Sequence, residues 1–426
     1  WNLDVAPVAT DSLFFFCFAQ TSTNNGFAAS TQFNGLTFSV GASAFTLAGN
    51  AINLAGNITN SSSSNQTISL ALALQQNVIV NTGSTGTATS GGTTLSGIIS
   101  GGFGLEKTGS GRLALTNANT FSGGIRISDG ALSVSTSNTA MGNGTVTLGS
   151  VAGTENVLLV SDGGRTYANT IVVEAGSGTR TILNASGNEA LTGRISLFKD
   201  VILDTAAASS TRIDFNSTSG SLGVTGSSNI IVRNSGAGTG VVNMAGNTIH
   251  RASFTGGIQV ESGASFTAAN GSGQLDISGA SVTLASGATF TFTETPTIGG
   301  LNGVAGSVVQ MTNGSGGRLL TLGGSGTYSY AGNLNNPGAG TGALTLRLNY
   351  GGEKGTQTFS GNNSLTGATA LQAGEFILDY STNNTSKLND TGVLTLGTGT
   401  LELAGGNHTE TVASTTINGG QVSITR

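Results

Sequence analysis

"TGSGRLALTNANTFSGGIRISDGALSVS", residues 108–135, is the stretch that decides how this chain folds. Apolar and small polar residues alternate in "RLALT", "IRIS" and "ALSVS", which is the period of a half-buried strand. Corners built from Gly, Asn and Ser separate the three runs. The stretch therefore holds three short strands in a unit of about 20–25 residues. A unit that short cannot bury its own apolar face, so it must stack on neighbours of the same kind.

The same order returns in "GTQTFSGNNSLTGATALQAGEFILDYS" (355–381) and in parts of "NTIHRASFTGGIQVESGASFTAA" (247–269). Period-2 runs such as "GLTFSV", "TISLALAL", "NVLLVS", "SVTLAS" and "VLTLG" fill the rest of the chain. Nowhere do charged residues and apolar i, i+3, i+4 positions coincide over three turns, as an amphipathic helix requires. The predicted fold is all-β, a right-handed parallel β-helix. It runs as one continuous solenoid over residues 34–426, behind an N-terminal capping or contact segment of residues 1–33. Val, Ile, Leu, Phe and Ala take the inward positions, and Thr, Ser and Asn the outward ones. At about 4.8 Å per coil, about 17–20 coils would make a rod about 80–95 Å long. Corner Asn residues are expected to stack and hydrogen-bond along the axis.

Composition agrees with a folded solenoid. Among 426 residues there are 69 Gly and only 3 Pro, and 8% are charged, against about 25% in ordinary soluble proteins. Low charge with much Gly and Ser could mean a disordered linker, but 37% apolar residues in regular alternation contradict that. The net charge of −5 is spread thinly, and 15 scattered Lys and Arg make no basic stripe for nucleic acid. No apolar run is long enough to span a bilayer. "LFFFCFA" is too short to do so and has no basic region before it, which argues against a signal peptide. A start at Trp1 and an end at "GGQVSITR" read as a piece of a longer precursor. The single Cys excludes an internal disulfide framework, and Cys17 reads as a small buried hydrophobe beside four Phe.

With these residues in view, "GLEKTGSGRLALTNANTFSGGIRISDGALSV" (104–134) closely resembles the autotransporter-associated β-strand repeat of bacterial surface proteins. Gly104, Leu105, Lys107, Gly109, Gly111, Leu113, Leu115, Asn119, Phe121, Gly123, Ile127, Gly130 and Leu132 carry the likeness. Other stretches, such as "AFTLAGNAINLAGNITNSS", are similar to long secreted relatives in Verrucomicrobia and Planctomycetes. The resemblance implies an extracellular or cell-surface parallel β-helix. Autotransporters end in a membrane barrel, which this sequence does not show, so the export route stays open.

Parallel β-helices often host polysaccharide lyases or hydrolases, which need paired carboxylates or a carboxylate-bound Ca²⁺ beside a basic residue. The nearest approach to a cluster is Lys199, Asp200 and Asp204 in "FKDVILD". Four residues apart on a strand, the two Asp lie about 13 Å from one another, too far for either glycosidase geometry. They read as solvated outward positions. Asp129 and Asp162 precede Gly, as expected of corner chemistry. His250 and His408 have neither Cys nor a second His nearby and read as surface or corner residues. No phosphate loop, dinucleotide fingerprint or Ca²⁺-binding nonapeptide frame occurs. The sequons at Asn57 and Asn65 read as products of composition. No catalytic centre, cofactor or metal is predicted.

What remains is a structural reading: a secreted β-solenoid that builds a surface fibre, layer or adhesive stalk by contact between copies, with surface glycans as a second class of partner. The alternative is a carbohydrate-binding or polysaccharide-degrading β-helix. "DSLFFFCFAQ" (11–20) breaks the alternation and supplies the contact candidate. If Asp11, Leu13 and Phe15 keep the inward face, Phe14, Phe16 and Phe18 point outward. An apolar patch of that kind is seldom left in water. Its cover is either a neighbouring copy in head-to-tail contact or an intramolecular cap involving residues 20–33.

Overall fold

The computed structural model describes residues 6–16, 18–83, 92–206, 210–215, 223–245, 249–269, 275–311, 317–336, 343–349, 352 and 354–426. Among them there is no helix, and parallel sheets form a β-solenoid of about 15 turns. Two compact units divide the chain, Trp1–Ile202 and Leu203–Arg426.

The first circuit sets the plan of the N-terminal unit. Strand β1 (Ser12–Phe15) is followed by β2 (Ser22–Asn25) and β3 (Thr31–Phe33), and β4 (Gly35–Phe38) then comes to lie beside β1. The next three circuits lay a strand on each of these faces, Thr46–Gly49 pairing with β2 and Ile52–Leu54 with β3, whereas from Leu105 to Asp162 strands fall only on the β1 and β2 faces. Register is kept from coil to coil, so identical positions form columns. Leu105, Ile125, Val146, Ile171 and Ile195 stand one above another and are all buried. Inward side chains at strand spacing thus meet their counterparts in the next coil, and burying each is worth about 1.5–3 kcal/mol.

The C-terminal unit repeats the scheme with more aromatic columns. Ile213, Val242, Phe266, Phe290, Val309 and Leu334 share one inward column. Phe266 and Phe290 stack at 5.2 Å, close to the spacing of adjacent strands. Phe359 and Phe376 meet edge to face at 5.3 Å.

The coils are fewer and longer than the composition of the repeat suggests. Neighbouring positions lie from 19 residues apart, as between Thr356 and Glu375, to 29 apart, as between Thr211 and Gly240. On the β1 face of the N-terminal unit, strand length does not absorb this variation. Ile125–Ile127, Val146–Leu148, Ile171–Val173 and Ile195–Leu197 are all three residues long. Corners take up the difference, which lowers the number of turns from the expected 17–20.

Asn residues do bond from coil to coil, but to backbone rather than to one another. The Oδ1 atoms of Asn77, Asn156 and Asn229 accept the backbone N–H groups of Gly104, Thr179 and Gly257 at 2.8–2.9 Å. Asn57 and Asn65, the sequon residues, do the same for Ile79 and Gly92. An amide at a corner reaches the next coil's unpaired N–H, which otherwise would stay unsatisfied.

Candidate functional site

Strand β1 divides its side chains as a strand must. Leu13 and Phe15 turn toward the interior, where Phe15 stacks on Phe38 at 4.9 Å and leans on Phe45 at 5.3 Å. Phe14, Phe16 and Phe18 turn outward and are 63%, 61% and 80% exposed. Val40, in the corner after β4, is 84% exposed, and the Phe18 ring lies against the neighbouring Gly41. The register places Phe14 at the head of an outer column that continues through Thr37, Thr59 and Asn81. A cavity of about 490 Å³ opens beneath, lined by Leu13, Phe15, Phe27, Leu36 and Leu47 among others. Cys17 lies outside the described residues.

Sequence reading passed over one property of this surface. From Ser12 to Leu105 the chain has no Asp, Glu, Lys, Arg or His; Asp11 and Glu106 bound the stretch. The exposed Phe cluster therefore sits on coils that carry no formal charge. A count of charge along the chain, rather than over it, would have found this.

The side chains with chemistry are elsewhere and are occupied. Lys107 faces inward, fully buried, and its ammonium donates to the carbonyls of Thr108, Gly109 and Asp129. Burial pulls its pKa down to about 8, with Asp129 opposing the fall. Asn119 accepts the Ile99 N–H at 2.8 Å and donates to the Ala140 carbonyl at 2.6 Å, tying its coil to the one before and the one after. Asn363 repeats this between Leu334 and Lys387. Around residue 355 the place of Lys107 is taken by Asn349, which donates to the carbonyls of Gly355 and Ala373.

Among the acidic candidates, Asp204 is not a solvated outward residue. It is buried and accepts the Ser235 N–H at 3.0 Å, closing a corner in the next coil. Glu189 is buried too and accepts the N–H groups of Gly164 and Arg165 at 3.2 Å. Desolvation raises its pKa, and the two backbone donors oppose the rise.

His408 does stand at a corner, but its side chain is only 17% exposed. Its ring stacks on Tyr380 at 4.6 Å, and Nε2 lies 3.8 Å from Glu410. The Glu410 carboxylate accepts the Tyr380 hydroxyl and the N–H groups of Lys387 and Leu388. Four residues distant in sequence thus fasten two corners, a grouping no local pattern signals. The His250 side chain lies outside the described residues. Among the described residues no three His, Cys, Asp or Glu side chains gather as a metal site requires, and no helix is long and apolar enough to cross a membrane.

A family model, the passenger-associated-transport-repeat, matches residues 105–134 and 354–378. No curated protein and no solved structure matches the chain. The matched segments contain Lys107, Asn119 and Asn363, three of the side chains that bond one coil to the next. The chain is a parallel β-solenoid that carries the passenger-associated-transport-repeat in both of its compact units.

Proposed function

We propose that this chain is a structural passenger of a bacterial surface protein, exported to the cell exterior, where its solenoid serves as fibre, layer or stalk. Its role is non-catalytic, and copies associate through Phe14, Phe16 and Phe18 on the N-terminal segment of residues 1–33, ahead of the solenoid of residues 34–426. The observation that carries this reading is the division of labour among side chains. Lys107, Asn119, Glu189 and Glu410 are consumed in holding coils together, while the exposed Phe cluster serves no internal contact of that kind. The passenger-associated-transport-repeat supports export.

Negative-stain microscopy of material taken from the native cell surface tests the proposal. Regular filaments or a lattice that bind an antibody to this chain are expected. Isolated short particles that cleave a polysaccharide would overturn it and favour the carbohydrate-active alternative.

A further inference from the structure

We infer that the contact between copies is side by side: the uncharged flank headed by Phe14 pairs with the same flank of a second copy. This rests on the proposal that copies associate, and adds the geometry and chemistry of the contact.

Two observations lead to it. First, the register puts Phe14 in an outer column with Thr37, Thr59 and Asn81 on the flank of the β1–β4 sheet, with the exposed Phe16 just beyond the strand. An end-to-end contact would have to engage the open backbone edge of β1 and the cavity that Leu13 and Phe15 line together with Phe14 and Phe16. Second, no charge lies between Asp11 and Glu106. Nucleic acid, an anionic lipid headgroup or an acidic glycan would find no countercharge on this flank. A second copy presents the same apolar, uncharged surface. The two flanks then meet without the like-charge repulsion that a net charge of −5 imposes on other faces. A pair related by a two-fold axis uses one patch twice, which suits an uncharged patch headed by Phe14, and because such a contact closes on itself, growth of a fibre or layer requires a second contact elsewhere on the chain.

Charge insertion tests the pairing. Thr37 sits beside Phe14 on the outer face, so Thr37→Lys and Thr37→Asp place like charges opposite one another in a symmetric pair. Sedimentation velocity of each variant alone should show association weakened about tenfold or more. An equimolar mixture should recover it, because each copy then meets the opposite charge. Unchanged thermal unfolding of both variants checks that the coils remain folded.

Association that neither variant alters, but that Phe14→Ser with Phe16→Ser abolishes, would overturn the side-by-side geometry and leave self-association standing. Wild-type protein that stays monomeric up to high concentration would overturn both. Monomers that bind neutral phosphatidylcholine vesicles or dextran through the Phe cluster would replace the second copy with that partner.

Discussion

Lys107 illustrates how a residue's chemistry is spent on the fold. Its ammonium satisfies three carbonyls at a corner, and burial holds its pKa at about 8, against about 10.4 in an unfolded chain. The folded value is the lower one, so between about 8 and 10.4 the unfolded state binds more protons and stability rises with pH. Lys107→Met leaves those carbonyls without their donor and should cost about 1–3 kcal/mol at neutral pH. Denaturant titrations at pH 7 and pH 10 should show the gap between wild type and variant widening as pH rises; a narrowing gap would mean the ammonium is not held down by burial. Asn119→Leu strands the Ile99 N–H and the Ala140 carbonyl, each worth about 1–3 kcal/mol. Asn363→Leu should do the same in the other unit, read as a lower urea midpoint. The alternation of Leu105 and Lys107 puts both on the inward face, so the inward lysine was legible. Its third partner was not, since Asp129 lies a full coil away.

At the scale of the strand and corner, the outcome depends on which elements carry information in their residue types. Strands do: the inward positions of "IRIS" are those buried at Ile125 and Ile127, and those of "ALSVS" are buried at Leu132 and Val134, where Ala131 and Ser133 are covered too. Corners do not, because Gly, Ser, Thr and Asn allow many lengths, and coil length was therefore underestimated. Some corner glycines are fixed by crowding as well as by conformation. Gly130 has φ 71°, and a Cβ there would lie 2.6 Å from the carbonyl oxygens of Gly109 and Gly111. Gly374, with φ 72°, is equally crowded by Gly355. Gly130→Ala and Gly374→Ala should each destabilise by more than about 1 kcal/mol. Gly263→Ala, at φ 75° but with open space around it, should cost less than either. Thermal melts of the three variants rank them; equal losses would show that backbone conformation alone sets the cost. Asp204 and the Tyr380, Lys387, His408 and Glu410 group escaped sequence reading for a related reason, since corners bring together residues that no strand period links.

For the molecule as a whole, charge and apolar exposure are unevenly placed, and that unevenness is what separates a stalk from a contact. After Asp11 the next charged side chain is Glu106, and several of the buried ones beyond it bind backbone. The uncharged coils before it carry the Phe cluster. "DSLFFFCFAQ" revealed that cluster because it broke the alternation; the neutrality around it is equally written in the sequence, as the absence of charge from Ser12 to Leu105, and needed only a count along the chain. The claim that joins these facts is that Phe14 and Phe16 are exposed for another copy of the chain. It is tested most directly by sedimentation velocity and thermal unfolding of wild type and the Phe14→Ser, Phe16→Ser double variant at matched concentration. The variant is predicted to unfold at the wild-type temperature and to remain monomeric where wild type associates. A variant that still associates but melts at a markedly lower temperature would contradict the claim and make the strand an internal cap.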